Sequence, residues 1–350
     1  MASDASSFGD AVAISGLTAV VGASATDLNT GSAYVFVNSG GVWSAQAELK
    51  ASDAATGDNF GGSVAIAGST VVVGANTKDS FQGAAYVFAR SGGVWTQRAK
   101  LTASDGEGYD QFGWAVAVLG STAVVTAPFR NGTGAAYVFV RSGSIWTQQT
   151  EVTASDGVTD DGFGISVAMS GASVLIGAPY RNSLSGAGYV FTGSGSSWTQ
   201  QAELTASDGA PNDYFGYGLA ISGTAAVMGA MGKNSGAGAA YVFVNSLGTW
   251  SQRAELTASD GAHDYFFGRS VAISRTTVLV GSANQSYSNG AAYVFVRSGG
   301  SWSQQAELTA PDGGHLDHFG GSVSLFRSTA LIGANGHRLG RGAAYVFVNA

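Results

Sequence analysis

Phe-Gly occurs seven times in this chain at a nearly constant spacing: Phe8-Gly9, Phe60-Gly61, Phe112-Gly113, Phe163-Gly164, Phe215-Gly216, Phe267-Gly268 and Phe319-Gly320. The step is 52 residues, once 51. Tyr-Val-Phe recurs in register with it, led by Tyr34, Tyr86, Tyr137, Tyr189, Tyr241, Tyr293 and Tyr345. A Trp follows nine residues after the first six of these tyrosines, at Trp43, Trp95, Trp146, Trp198, Trp250 and Trp302. A period of this length means an array of supersecondary units that bury their apolar faces against one another.

Each unit reads as four short strands. In "FGGSVAIAGSTVVVGANTKDSFQGAAYVFARSGGVWTQRAKLTASD", strand A is FGGSVAI and a tight Gly-Ser turn leads to strand B, TVVVGA. A longer loop leads to strand C, GAAYVFA, and a Ser-Gly-Gly turn to strand D, VWTQRAKLTA. Val, Ile, Tyr, Phe, Trp and Thr fill the strands while Gly and Ser mark the turns. No helical period is visible. Short connections make consecutive strands antiparallel neighbours. Seven such meanders predict an all-β fold, one seven-bladed β-propeller spanning 1–350, because radial repetition leaves few exposed edges. Alternate positions of strand A carry bulky and small residues, so adjacent blades are expected to nest large into small near the axis.

The seventh Trp would fall at position 354, beyond the last residue. Six D strands therefore serve seven A–B–C sets. The last blade is expected to have three strands, with "AAYVFVN" as an edge open to pairing with another chain.

Composition removes whole classes of function. The formal charge of −7 argues against nucleic acid, which needs a basic footprint. No run of 18 apolar residues exists, so no membrane-inserting helix is expected. "MASDASSFGD" lacks the basic start and apolar stretch of a signal peptide. The absence of Cys excludes disulfides and thiolate metal sites.

Phe-Gly opening strand A and Gly-Ala closing strand B resemble the FG-GAP repeat of integrin α-chain-type propellers. The second half of that signature stands at Gly22-Ala23, Gly74-Ala75, Gly177-Ala178, Gly229-Ala230 and Gly333-Ala334. Thr126-Ala127 and Gly281-Ser282 depart from it. The resemblance covers the whole chain. It implies a recognition or adhesion module of an extracellular or cell-surface protein. Many members of the family carry an Asp-rich calcium loop between strands A and B. Here that connection has no carboxylate, and calcium needs six to eight oxygens, so the family's calcium is not carried over and no cofactor is expected.

In the meander, B–C loops and D–A linkers share one face, and the tight A–B and C–D turns share the other. The B–C loops vary most between repeats, and loops on a rigid scaffold carry function. Candidate ligand contacts there are Phe129, Arg130, Tyr180, Arg181 and Tyr287. The residue after Phe-Gly also varies, and it is expected near the mouth of the central channel. Trp114, Tyr217 and Arg269 occupy it in three repeats, and such aromatic rings stack on a sugar or a peptide side chain.

Asp53, Asp105, Asp156, Asp208, Asp260 and Asp312 recur seven residues before the Phe. Asp58, Asp110, Asp161, Asp213 and Asp317 recur two before it. A ring of cation sites is one reading. Periodicity favours the other, Asp capping backbone N–H groups in turns. His315, Asp317, His318 and His337 come near metal-ligand spacing, but on a loop that does not fix their geometry. No catalytic constellation is visible. The leading expectation is a non-catalytic module binding a protein or glycan through the loop face. A propeller acting on polysaccharide and a structural spacer are the alternatives.

Overall fold

A computed structural model describes residues 7–261, 265–284 and 289–348. It is all-β, with seven antiparallel sheets, six ordered A-B-C-D and the seventh A-B-C. In the first blade these strands are Phe8–Ser15, Thr18–Ala23, Ser32–Ser39 and Val42–Leu49. Six blades have four strands. The last has three, Ser322–Phe326, Thr329–Ala334 and Ala343–Val348. Each strand A packs against strand A of the next blade, and the seventh packs back on the first. The A strands thus surround the axis.

Sequence pattern sets depth. Strand B has a neighbour on each side and a blade on each face, so Thr70–Ala75 is buried throughout. Such strands read as continuous apolar runs. Strand D is outermost and alternates exposed with covered residues, as in Val94–Leu101. The Phe of each Phe-Gly packs on strand C of its own blade. Phe60 lies 5.6 Å from Tyr86 and 6.0 Å from Phe88, edge-on, the geometry aromatic quadrupoles favour.

Strand A begins later than the sequence suggests. In most blades the regular ladder starts after Phe-Gly, as at Ser63 and Ser166. The Gly following each Phe has a positive φ, +98° at Gly61 and +103° at Gly164. That conformation turns the backbone sideways, and only Gly adopts it cheaply. The Phe then bridges in parallel to the preceding blade, Phe60 to Gly31 and Phe112 to Gly83.

The two halves of the signature meet between neighbouring repeats. A Cβ on Gly22 would lie 2.0 Å from the Gly61 carbonyl oxygen, and one on Gly74 would lie 2.0 Å from that of Gly113. The Gly of Gly-Ala in one blade thus receives the Phe-Gly backbone of the next. Ser63 and Ser166 donate to the Gly113 and Gly216 oxygens at 2.8 and 2.7 Å. The same joint closes the ring. Gly333 faces the Gly9 oxygen, Ser322 donates to it at 2.7 Å, and Phe8 bridges to Gly342. Among the described residues no strand is exchanged between blades. At the Thr126 departure, the extra hydroxyl turns back onto Ala115, accepting from its N–H at 3.0 Å.

A second joint ties the outer ring. The amide side chains of Gln97, Gln148, Gln200, Gln252 and Gln304 accept from the N–H of Ser52, Ser104, Ser155, Ser207 and Ser259 in the preceding linker. Blade 1 has Ala45 at the Gln position, paired with Phe36 as Gln97 pairs with Phe88. The sixth linker has Pro311 at the Ser position, and Pro has no N–H. Both sides of the outer gap at blade 7 therefore lack the residue that would clasp a strand there.

Candidate functional site

B–C loops and D–A linkers lie on one face, and ion pairs stitch them together. Eighteen residues after each Phe, the B–C loop carries Lys78, Arg130, Arg181, Lys233 or His337 in five repeats. Each meets both linker carboxylates. Lys78 Nζ lies 2.9 Å from Asp58 and 3.7 Å from Asp53. Arg130 lies 3.3 Å from Asp110 and 3.1 Å from Asp105. Arg181 lies 2.9 Å from Asp161 and also bonds Asp156. Lys233 lies 3.4 Å from Asp213 and 2.8 Å from Asp208. His337 Nδ1 lies 2.8 Å from Asp317, and its Nε2 lies 3.5 Å from Asp312. In the other two repeats the cation position holds Thr26 and Gln285, and the second Asp position holds Ser6 and Tyr265. Cation and second Asp are present or absent together, as expected of a pair that leaves an uncompensated buried charge when half of it is lost.

The second Asp of each pair is deeply buried. Asp58 is 4% exposed and also accepts from the Ala55 N–H at 2.8 Å, the turn chemistry its spacing suggests. In five repeats the first Asp accepts from the tyrosine of strand C, as Asp53 does from Tyr86 at 2.7 Å, whereas the Tyr137 hydroxyl makes no such bond. Burial and the bond to Asp53 push the Tyr86 phenol far up, so it stays neutral. A hydrogen bond from Lys233 holds the Asp208 carboxyl below the usual range, outweighing burial. A bond from Tyr345 does the same at Asp312. In the four Lys and Arg latches the charge a bound metal would neutralise is already met by a protein cation. Among the described residues, no three His, Asp or Glu side chains converge to hold a metal.

These contacts place the sequence-derived candidates. Arg130 and Arg181 are latch residues, with their side chains turned into the protein. Asp317 and His337 form one such latch. His315 is exposed on the linker, and His318 lines the channel mouth. Tyr287 lies outside the described residues. Trp114 packs edge-on against Phe129 at 5.7 Å. Tyr180 packs edge-on against Tyr214 at 6.3 Å. The Arg269 guanidinium sits over the Tyr217 ring at 5.6 Å. Blades 3 to 5 thus contribute an aromatic sector.

Next to it, joined through the Arg269–Tyr217 contact, blades 6, 7 and 1 form a polar cavity of about 210 Å³ lined by Asp10, Arg269, Asn284, His318 and Asn335, with glycine and alanine backbone. Asp10 accepts from Ser24 at 2.5 Å and from Asn335 at 3.0 Å. Asp10 and Arg269 both follow Phe-Gly, and both line this cavity. Sequence reasoning missed Lys78 and Lys233 as latch partners, although aligning the repeats shows a cation at one offset. It also missed Leu28, Leu316 and Leu339, which are exposed on the same face. Their signal is a large aliphatic residue where most other repeats have Ser, Gly, Asp or Asn.

A family model described as FG-GAP repeat matches residues 1–36, 43–88, 95–139, 146–191, 198–243, 250–295 and 302–347. Its unit runs from a Trp strand through the following A, B and C strands. No curated protein matches the chain.

Proposed function

The chain belongs to the FG-GAP repeat family, and from that premise we propose that it is a non-catalytic recognition module acting through its loop face. The observation that carries this reading is a contrast. Core, joints and latches repeat from blade to blade, whereas the residues around the channel mouth do not: Asp10, Gly62, Trp114, Ile165, Tyr217, Arg269 and Gly321. A scaffold alone has no use for that asymmetry. An aromatic sector beside a polar cavity suits a ligand with both apolar and polar groups. The ligand class is a protein or glycan, and the setting is an extracellular or cell-surface protein, as in the integrin-like propellers the sequence resembles.

A glycan array and a displayed random-peptide library, each probed with this chain and with the double variant Trp114→Ala, Tyr217→Ala, test the reading. Binding that the variant loses supports recognition at the channel mouth. Silence on both would remove the reading and favour a spacer.

A further inference from the structure

We propose that the polar cavity between blades 6, 7 and 1 takes the carboxylate of an acidic residue in an extended protein segment whose flanking apolar side chains rest on Leu28, Leu316 and Leu339. The inference rests on the loop-face reading above and narrows its ligand to a peptide of stated pattern.

Charge is the first argument. On this face Lys78, Arg130, Arg181 and Lys233 are spent in latches with buried aspartates. Arg269 differs. It is exposed, it leans on the Tyr217 ring, and among the described residues no carboxylate lies within ion-pair reach of it. Its blade is one of the two without a latch pair. A guanidinium fork in a cavity with two Asn side chains suits a carboxylate, which it can bind through two parallel hydrogen bonds. Asp10 opposes this less than its charge suggests, because both its oxygens already accept from Ser24 and Asn335.

The rim is the second argument, and it is independent. Each of three wall segments carries an exposed leucine a few residues away: His318 with Leu316, Asn335 with Leu339, and Ser24, the partner of Asp10, with Leu28. Leu28 is 80% exposed and Leu339 is 103% exposed. All three have left-handed backbone, φ 59°, 66° and 62° for Leu28, Leu316 and Leu339. At the offset of Leu28 and Leu339 four of the other five repeats use Ser80, Ser183, Ser235 and Gly132, and the fifth has Tyr287. At the offset of Leu316 four use Gly57, Asp160, Asn212 and Asp264. Ser, Gly, Asp and Asn are the residues a left-handed turn prefers. Tyr109, also at the offset of Leu316, stacks on Phe81 at 5.6 Å. A leucine at these offsets strains the backbone and stays exposed. Strain of this kind gathers at ligand clamps. Aliphatic knobs around a polar centre match a protein partner. Saccharides are held by aromatic faces, and no aromatic ring of Phe, Tyr or Trp lines this cavity.

The test is fluorescence polarisation of the full chain with labelled nine-residue peptides. Their centre is Asp, Glu, Gln or Lys, and their flanks are Leu, Phe, Val or Ala. Acid-centred peptides with large apolar flanks should bind. Arg269→Gln should weaken them about tenfold or more. Leu28→Ser with Leu339→Ser should weaken them similarly while the melting temperature holds or rises, since Ser is native at that offset in Ser80, Ser183 and Ser235. Arg327→Gln, on the opposite face, should change nothing. Equal binding of Gln- or Lys-centred peptides would overturn the proposal, as would binding untouched by the Arg269 or leucine variants, or no peptide binding at all. If the chain instead binds saccharides and loses them with Trp114→Ala, Tyr217→Ala, the loop-face reading stands and the peptide inference falls. If neither class binds, both fall.

Discussion

The latch is the smallest unit that explains this face. Lys78 is 3% exposed and its partner Asp58 is 4% exposed, so neither charge is solvated by water. Removing one partner strands the other. Lys78→Met is expected to cost about 3–5 kcal/mol in denaturant unfolding, and adding Asp58→Asn should recover much of it. Acid should act through the same carboxylates. Asp208 has its pKa lowered by the bond from Lys233. A depressed carboxyl stabilises the fold above its unfolded pKa, about 4, and that stabilisation is lost as pH falls through the folded value. Stability should therefore drop below about pH 4, and Lys233→Met should flatten the drop. A pH series of denaturation midpoints reads this directly.

At the scale of the strand and turn, two kinds of glycine serve different ends. Gly229 has ordinary backbone, but a Cβ there would sit 1.8 Å from the Gly268 oxygen of the next blade. Gly143 has φ +63° and nothing within 4 Å of an added Cβ. Gly143→Ala should cost about 1–2 kcal/mol from left-handed strain alone. Gly229→Ala must push neighbouring blades apart and should cost more, with calorimetric unfolding as the measure. The outer clasp offers a milder contrast. Gln148 accepts from the Ser104 N–H at 2.9 Å and donates to its hydroxyl at 3.0 Å. Gln148→Ala should cost about 0.5–1.5 kcal/mol. Ala45→Gln should stay within about 0.5 kcal/mol, because blade 1 has no clasp to complete.

Across the whole molecule, joints of one kind close the ring. The seam between blades 7 and 1 uses Gly333, Ser322 and Gly9 as other seams use their equivalents. Closure therefore depends on the inner strands. The outer ring has a gap at blade 7, flanked by Pro311 and Ala45. Strand C of that blade, Ala343–Val348, pairs on one side only, whereas Ala291–Ser298 pairs on both. Hydrogen exchange should be faster in Ala343–Val348 than in Ala291–Ser298, since protection follows how many backbone bonds must open. Equal rates would show the edge covered in solution.

The seven Phe-Gly and Tyr-Val-Phe registers, the Gly-Ser turns and the six-fold Trp were sufficient to derive blade number, strand order, the shared face of B–C loops and linkers, and the three-stranded last blade. Each is a local or periodic property, carried by strand alternation and by short connections that leave antiparallel pairing as the only course. What pairs across blades was not legible in one repeat read alone. Gly22 meets Gly61 and Lys78 meets Asp53 because consecutive blades pack side by side, which brings one repeat's loop onto the linker that enters it. The same packing makes Arg130 and Arg181, candidate ligand contacts in the sequence, counter-ions of the linker aspartates. Closure of the ring put Arg269 of blade 6 and Asp10 of blade 1 in the walls of one cavity, although they are far apart along the chain, because the seventh blade between them packs on both the sixth and the first.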